Sequence, residues 1–445
     1  MKKYDIIIVG GGISGIYTMY NLKKKYPRLK VLLLEKNDRL GGRIYTYYEK
    51  VDGIEYRMDL GAGRLGFAHK LILSLLDDID LTKDIIPIKN DKKYIDINKN
   101  TSILNLKLQK KVFDIFYKLL NSQKIQNLKR ETLQKYYLID ILNKFLPKSV
   151  VKNIQNVFEY TSDIEKFNAY NVIQYFKNDY HHSAKYFVLK HGLGSIIDNM
   201  VKKIKVKNYK IKTNAYVKSI DYNREDTNYI IKYKDKNNEL SNASCNHVVC
   251  AMPFIDLVKL KILDPYKYLL NTINNINLTR IFEIYDTNYN NTGKAWFHGI
   301  GKIVCNNRIK YIIPINSRNG LIMSSYIDLD NCNYWSRIYK NGKKYLQTII
   351  NKNLNLIFKA YDIVVPKSKW IKLYRWDMGV ACWKKNVDSV YVGEQIINLM
   401  PNFYICGENY SQTQAWCEGA LETSEKVICN LSCKIKKNKT FKNKK

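Results

Sequence analysis

The chain has 445 residues, which exceeds one ordinary domain, and its hydrophobic content of 46% is enough to fill two packed cores. Its formal net charge of +34 creates a field that attracts polyanions and disfavours polycationic substrates at long range. Nine cysteines without a C-x-x-C pair argue against a disulfide framework, and six histidines without ligand-like spacing lead us to predict no metal site.

The N-terminal segment predicts a dinucleotide-binding unit. Residues 6–9 form a continuous apolar run typical of a buried strand, and residues 13–22 carry apolar side chains at helical spacing. Between them lies the pattern G-x-G-x-x-G, made by Gly10, Gly12 and Gly15. In this pattern the first glycine allows a tight turn, the second lets the backbone approach a pyrophosphate, and the third lets helix and strand pack closely.

The residues after the second strand indicate which dinucleotide is bound. Residues 31–34 predict that strand, and Glu35 at its end is placed to accept a hydrogen bond from a ribose hydroxyl. The run D-R-L-G-G-R follows directly and ends at Gly42 and Arg43. It resembles the D-R-x-G-G-R turn of the flavin-containing amine oxidase superfamily. The resemblance implies FAD as cofactor, with the Gly42 backbone and the Arg43 guanidinium on its pyrophosphate.

Residues 59–66, D-L-G-A-G-R-L-G, bear on the substrate. Simple amine and polyamine oxidases of the superfamily have an apolar or aromatic residue where Arg64 stands. L-Amino-acid oxidases and tryptophan monooxygenases have an arginine there, which binds the substrate α-carboxylate. The resemblance therefore implies a carboxylate-binding role for Arg64 and places Gly61 at the cofactor; the alternative is that Arg64 binds the flavin phosphate or a structural carboxylate.

The middle of the chain predicts two kinds of structure. Residues 106–120 and 133–146 have the periodicity of helices. Residues 281–285, 302–305 and 310–315 are alternating or β-branched runs typical of strands.

Three further segments resemble parts of the superfamily's FAD-binding domain. Residues 191–204 resemble the internal glycine-containing segment that returns to this domain, and residues 245–253 resemble its D-x-V-I-x-A-x-P strand. In residues 214–220, the resemblance implies that the backbone of Val217 pairs with the adenine.

These matches imply an α/β fold in which a Rossmann-like FAD-binding domain of the GR2 type is combined with a discontinuous α+β substrate domain. We expect the FAD-binding domain to comprise residues 1–75, 190–255 and 390–434. Residues 76–189 and 256–389 would then form the substrate-binding domain, with a helical part and a mixed sheet.

One departure from the superfamily affects reoxidation of the flavin. The family usually has a lysine, in a pattern like T-K-I-F, that hydrogen-bonds through a water to flavin N5. Here the matching stretch is L-T-R-I-F and places Arg280 at that position. Arginine is bulkier, forked and permanently protonated near neutral pH, which leaves open whether the protein acts as an oxidase or a dehydrogenase.

Two neighbouring residues resemble family positions beside the flavin ring. Trp383 resembles the first of two aromatic rings that flank the substrate amine. Cys382 matches the cysteine that carries the flavin covalently in monoamine oxidases. A core aromatic residue is the alternative for Trp383, and a buried free thiol is the alternative that we favour for Cys382.

The C-terminal part supplies an independent match. Residues 403–409 and 414–424 resemble the family's closing pattern, a strand followed by G-E and then a G-W/Y-x-E-G-A helix. The resemblance implies that Gly407 and Glu408 meet the ribityl and phosphate region of FAD, through the carboxylate or the backbone. Trp416 would be the second ring beside the flavin, with a core aromatic as the alternative. Cys417 opens the helix whose positive N-terminal end faces the flavin.

Residues 435–445 form a basic run with the composition of a disordered tail. Nucleic-acid binding through the basic charge is a weak expectation, because the excess is spread along the chain with heavy Asn, Ile and Tyr usage. The strand predicted near the first residue leaves no room for a signal peptide, and no membrane span is predicted. We expect a cytoplasmic protein, or a virion protein if the source is viral.

The resemblance implies an FAD-dependent oxidase that takes a hydride from a primary amine, with a lean toward an L-amino acid, and uses O2 to form H2O2. The alternatives are a polyamine or monoamine oxidase, and a non-catalytic flavin-binding protein whose basic surface associates with nucleic acid. The sequence leaves the substrate side chain and the oligomeric state open.

Overall fold

The computed structural model describes residues 1–98, 101–178 and 184–442. Its strands are β1 (Lys2–Val9), β2 (Val31–Leu34), β3 (Thr46–Val51), β4 (Ile54–Asp59), β5 (Leu65–Gly66), β6 (Ile85–Ile88), β7 (Lys92–Ile97), β8 (Ser102–Leu104), β9 (Tyr186–Leu189), β10 (Tyr209–Lys212), β11 (Tyr216–Asn223), β12 (Asn228–Lys234), β13 (Leu240–Cys250), β14 (Ile273–Ile284), β15 (Lys302–Cys305), β16 (Tyr311–Asn316), β17 (Leu321–Asp328), β18 (Trp370–Trp383) and β19 (Phe403–Ile405).

The α-helices in these ranges are α1 (Ile13–Lys25), α2 (Lys70–Asp78), α3 (Leu106–Leu120), α4 (Gln123–Gln126), α5 (Arg130–Gln134), α6 (Leu138–Phe145), α7 (Lys148–Val157), α8 (Thr161–Glu165), α9 (Ala169–Asn178), α10 (Gly194–Ile204), α11 (Phe254–Leu257), α12 (Lys267–Leu270), α13 (Asp330–Lys340), α14 (Lys343–Phe358), α15 (Ser389–Ile397) and α16 (Cys417–Lys442).

The first sheet, which we call the Rossmann sheet, is built on β1. Strands β10, β2, β1 and β13 are parallel and adjacent in that order, and β19 pairs with the C-terminal half of β13. Strands β12 and β11 extend the other end of β13 in antiparallel pairing. Ile6, Ile7 and Ile8 are fully buried, because helices cover both faces of a parallel sheet. Every strand of this sheet lies within residues 1–75, 190–255 and 390–434.

The turn between β1 and α1 depends on glycine. Gly10 has φ of +110°, a conformation that side chains rarely adopt. A Cβ atom on Gly15 would lie 2.0 Å from the carbonyl oxygen of Gly10, so a side chain there would force the helix away from the strand. This turn therefore brings the N-terminus of α1 against the end of β1.

The second sheet and its helices form the other half of the molecule. Its strand order is β18-β14-β17-β16-β15-β7-β8, and α13 and α14 pack against one of its faces. Strand β15 coincides with the predicted run 302–305, and β14 and β16 contain most of the other two runs. Helix α3 spans the predicted residues 106–120, whereas the single helix expected over 133–146 is divided into α5 and α6. A backbone bridge between Tyr137 and Asn168 occupies the break.

Helices α3 to α9 form a helical layer around a core of aromatic side chains. The ring centres of Phe116 and Phe158 are 4.7 Å apart, and that of Phe176 lies 5.0 Å from Phe116 and 5.4 Å from Phe158. Aromatic rings at these separations stabilise a core beyond the burial of their area. This well-packed layer forms one wall of the cavity described below.

The last helix differs from the expectation. Residues 435–442, assigned from composition to a disordered tail, continue α16, whereas 443–445 lie outside the described residues. Ile435 is buried with Leu431 in the core on one face of the Rossmann sheet, which extends the helix past the expected boundary at residue 434. In the described part of the chain, no helix combines the length and apolar composition needed to cross a membrane.

One buried carboxyl group makes stability depend on pH. Glu283 is fully buried in β14 and accepts hydrogen bonds from the Ser368 and Tyr285 hydroxyls, and desolvation raises its pKa to about 7. Because the folded-state pKa exceeds that of the unfolded chain, this group destabilises the fold as pH rises from about 4.5 through 7.

We expect the free energy of unfolding of Glu283→Gln, relative to that of wild type, to increase by up to about 3 kcal/mol from pH 5 to pH 8. The rise of the Glu283 pKa from 4.5 to about 7 on folding corresponds to about this energy. Denaturant unfolding at both pH values measures the difference. Glu394→Gln, at an exposed position, is the control and should show no such change. An equal effect of Glu283→Gln at both pH values would contradict the prediction.

Candidate active site

A cavity of about 950 Å³ extends from the glycine turn of the Rossmann sheet to the helical layer and the second sheet. Its volume is at the upper end of the range found for ligand pockets. Most of the residues predicted for the site border it: Gly10, Gly12, Glu35, Gly42, Arg43, Gly61, Arg64, Arg280, Gly407, Glu408, Trp416 and Cys417. The structure therefore gathers residues from both ends of the sequence and from its middle into one site.

The Rossmann end of the cavity has the shape that a dinucleotide requires. A Cβ atom on Gly12 would meet no protein atom within 4 Å, so the backbone itself forms the cavity surface at this residue. Gly42, with φ of +56°, packs against Gly12 from the following turn. The start of α1 presents its unpaired N–H groups at the same place, which suits a pyrophosphate. These residues fit the predicted cofactor.

Glu35 is held in place at this end by its neighbours. One carboxylate oxygen accepts a hydrogen bond from the Gly11 N–H at 2.7 Å, and the other accepts two from Asn37 at 2.8 Å each. The side chain is only 5% exposed. Because Oε2 accepts only the hydrogen bond from Gly11 within the described part of the chain, it can accept a further one, and the orientation remains compatible with a ribose hydroxyl.

Arg43 and Glu408 form an ion pair that was not expected from the sequence. Nη1 of Arg43 lies 2.8 Å from Glu408 Oε2 and also donates to the Gly379 carbonyl. The other oxygen of Glu408 accepts from the N–H groups of Ala381 and Ala415. The Glu408 carboxylate thus ties β18 to the segment before α16, and phosphate binding by the remaining N–H groups of Arg43 stays a prediction.

Arg280 lies on the cavity wall beside the segment that contains Arg64. Its Nη1 donates to the Asp59 carbonyl at 2.6 Å, and its guanidinium carbon is 4.4 Å from the ring centre of Tyr326. The side chain is 7% exposed. It therefore supplies a fixed positive charge at the cavity, whereas a direct role at the flavin stays a prediction.

Trp416 and Arg64 lie together at the end of the cavity nearest the helical layer. The Trp416 ring is stacked on Tyr186, with centres 5.8 Å apart and planes at 18°, and meets His69 edge-on at 4.7 Å. The Arg64 guanidinium carbon is 4.6 Å from the Tyr186 ring centre and 5.8 Å from that of Trp416. A guanidinium over an aromatic face is a stabilising arrangement, and it places the positive charge of Arg64 beside both rings.

The segment around Trp416 is anchored from its C-terminal side. The two carboxylate oxygens of Glu418 accept hydrogen bonds from the N–H groups of Leu71 and Ile72, at 2.8 and 2.9 Å. These N–H groups belong to the first turn of α2, where such groups lack partners within the helix. The contact fixes the start of α16, and with it Trp416, relative to α2.

Trp383 is not part of the cavity wall. Strand β18 borders the cavity with residues 376–380 only. Trp383 is fully buried in the core on the other side of the Rossmann sheet, where its Nε1 donates to the Ser411 carbonyl and its ring lies 5.9 Å from Tyr410. The expected first flanking ring is therefore the core aromatic residue that was the alternative. From this strand, the aromatic residue at the cavity is Trp376.

Cys382 also points away from the cavity. Its thiol is fully buried and donates to the Lys166 carbonyl at 3.3 Å, and burial raises the pKa of the thiol well above its ordinary value. A covalent bond to the flavin requires a thiol at the cavity surface. The structure therefore favours the free buried cysteine.

We expect the flavin to be released when the holoprotein is denatured in acid. All of the flavin absorbance should appear in the supernatant after precipitation, and Cys382→Ala should give the same partition. Flavin that stays with the wild-type precipitate but not with that of Cys382→Ala would contradict the placement of this thiol.

Two of the glycine and strand residues predicted for the cofactor lie behind the cavity wall. Gly15 packs against Gly10, as its predicted role in helix–strand packing requires. Val217 is buried, does not border the cavity, and pairs across β11 and β12 with Tyr233. A contact of Val217 with the adenine is therefore not supported.

Several cavity residues carry no motif that sequence analysis could use. They come from the helical layer and the second sheet and include Tyr160, Asp163, Tyr175 and Lys302. Burial, with the charges of Arg64 and Lys92 nearby, lowers the pKa of Lys302 to about 8. Burial also raises the pKa of Asp163 well above its ordinary value. Within the described residues, no group of three or more His, Cys, Asp or Glu side chains is arranged to hold a metal ion.

Comparisons with known proteins agree with the geometry. Residues 13–287 match the family described as flavin-containing amine oxidoreductase. A probable flavin-containing monoamine oxidase A of Dictyostelium discoideum is 34% identical over 99 residues, a stretch that spans 20% of this chain and 20% of the relative. The matched stretch is thus a small part of that relative's length.

Two solved structures share the fold. A putative protoporphyrinogen oxidase from Exiguobacterium has a TM-score of 0.70 at 16% identity, and covers 97% of this chain and 99% of its own. A double mutant of putrescine oxidase has a TM-score of 0.70 at 14% identity with the same coverage. These structures confirm the Rossmann-like fold, and the match to the flavin-containing family confirms FAD as the cofactor. The match over residues 13–287 establishes that the chain belongs to the flavin-containing amine oxidoreductase family.

Proposed function

We propose that the protein oxidises a primary amine, and specifically an L-amino acid, with O2 as the electron acceptor and H2O2 as a product. The observation that carries this proposal is the position of Arg64, which borders the cavity next to Trp416 and Tyr186. A permanently charged, planar guanidinium binds a carboxylate through two parallel hydrogen bonds.

The aromatic residues around Arg64 support binding of an amine in its neutral form. Trp416 is 8% exposed, and Tyr160 and Tyr175 border the same part of the cavity. Apolar rings exclude water from this space and disfavour a charged ammonium group. An amine held here loses its proton more readily than in water. The neutral amine that results is the form needed for oxidation.

The division of roles between cofactor and protein follows from this site. FAD, when bound, supplies the hydride acceptor at flavin N5. The chain's own residues would orient the substrate: Arg64 would bind the α-carboxylate, and Trp416 would limit the position of the carbon that loses hydride. The fixed charge of Arg280 lies in the same cavity and would influence reoxidation.

Anaerobic mixing of the purified holoprotein with single substrate classes tests the proposal. The classes are L-amino acids, putrescine and other polyamines, simple monoamines, and protoporphyrinogen, and the readout is loss of the visible absorbance of oxidised flavin. Bleaching by L-amino acids, followed by H2O2 formation when air is admitted, is the expected result. Bleaching by the other classes alone, or by none, would overturn it.

A further inference from the structure

The cavity wall contains a buried carboxyl group to which none of the described residues donates a hydrogen bond. Three buried acidic residues border the cavity in the described part of the chain: Glu35, Glu408 and Asp163. Glu35 and Glu408 each accept several hydrogen bonds. Among the described residues, none donates a hydrogen bond to Asp163 or forms an ion pair with it, although its side chain is only 7% exposed.

A carboxylate this buried is costly unless it meets a partner, because burial removes most of its water. The nearby acidic groups Asp328 and Glu159 add to this cost, whereas the charges of Arg64 and Lys92 reduce it. With burial as the dominant effect, the group must either hold a proton or meet a cation that enters the cavity.

We propose that Asp163 binds a positively charged group of the substrate, so that the substrate is an L-amino acid with a cationic side chain. The inference rests on the proposed function, in which Arg64 binds the carboxylate. Asp163 and Arg64 border one cavity, and Arg64 is among the charges that act on Asp163, so the two groups lie near each other in the cavity. Together they would recognise the two charged ends of one small molecule.

The high net charge of the chain does not oppose this assignment. Charges on the surface are screened over a Debye length of about 8 Å at physiological ionic strength, whereas a buried charge acts at short range with little screening. The overall field of +34 would slow the approach of a cation, but a contact with Asp163 inside the cavity determines its affinity.

Binding of ligands that lack an α-amino group, measured without oxygen, tests the inference without relying on turnover. Titration calorimetry on the holoprotein compares a series of ω-amino acids from 4-aminobutanoate to 6-aminohexanoate with the fatty acids of equal length. We expect the best ω-amino acid to bind at least about 30-fold more tightly than its fatty acid, and Asp163→Asn to reduce this preference to less than about threefold.

The control variant is Glu165→Gln, on the same helix, where the carboxylate accepts a hydrogen bond from Gln155 and does not border the cavity. It should retain the preference for the ω-amino acid. Equal affinity of the two ligand types in wild type, or an unchanged preference in Asp163→Asn, would overturn the role of Asp163.

The failure of the proposed function is distinguishable from the failure of this inference. Loss of fatty-acid binding in Arg64→Ala tests the carboxylate contact alone, because a fatty acid has no cationic group. Putrescine compared with butylamine tests Asp163 alone, because neither ligand has a carboxylate. In turnover, the ratio of kcat/KM for L-lysine to that for L-norleucine should fall by at least about 30-fold in Asp163→Asn.

Discussion

Arg64→Ala is expected to lower kcat/KM for L-amino acids by at least about 1,000-fold, because removal of one partner of a buried charge pair costs several kcal/mol and each 1.4 kcal/mol corresponds to a factor of ten. The loss should appear mainly as a higher KM, since the guanidinium would bind the carboxylate equally in the ground state and the transition state. Stopped-flow measurement of flavin reduction over a range of substrate concentrations separates the two parameters.

Arg308→Ala is the matched control for this experiment. Arg308 also lies over a tyrosine ring, with its guanidinium carbon 4.4 Å from the centre of Tyr334, but it does not border the cavity. It thus reproduces the loss of a stacked arginine without the loss of a substrate contact. Flavin reduction that survives Arg64→Ala at the wild-type KM would mean that the arginine serves another purpose, such as binding the cofactor.

Gly12→Ala is expected to fold normally and to bind FAD at least about 100-fold more weakly. The residue has φ of −72° and ψ of −179°, which alanine adopts without strain, and its Cβ would meet no protein atom within 4 Å. The added methyl group therefore occupies cavity space, where the backbone must lie close to the pyrophosphate. Fluorescence titration of the apoprotein with FAD measures the affinity, and thermal unfolding of the same apoprotein measures stability.

The contrast with Gly15→Ala distinguishes cofactor contact from packing. At Gly15 the new Cβ would lie 2.0 Å from the Gly10 carbonyl oxygen, so this variant should lose stability in the apoprotein as well as FAD affinity. Equal loss of apoprotein stability in both variants would contradict the assignment of Gly12 to the cofactor surface.

The fold of the Rossmann unit and its cofactor followed from local sequence. A strand, a glycine turn, a helix and a second strand ending in Glu35 lie close together in the chain, and the chemistry of each position depends on its neighbours. The structure places Gly10, Gly12, Glu35 and Gly42 at one end of the cavity, as predicted. The break between α5 and α6 was not predictable in this way, because it depends on a bridge between Tyr137 and Asn168, which are far apart in sequence.

The position of Trp383 shows where the resemblance gave a wrong prediction, whereas Cys382 is the buried free thiol that we favoured. Both follow the segment of β18 that borders the cavity, residues 376–380, and they lie two and three residues beyond its end. Successive side chains of a strand point to opposite faces, and only some of them can face the cavity. Where the strand stops bordering the cavity depends on the elements that pack over it. The motif encodes neither property.

The sequence by itself determined the family, the cofactor and most of the residues at the Rossmann end of the cavity, because a dinucleotide is bound by backbone turns whose glycines and acid are local features. Only the tertiary structure decided what else lines the substrate cavity. Asp163 and Tyr175 come from helices with no signature, and Tyr160 directly precedes one of them. The ion pair between Arg43 and Glu408 joins residues from opposite ends of the chain. Their burial and their charged neighbours, which set their chemistry, exist only when distant elements pack together.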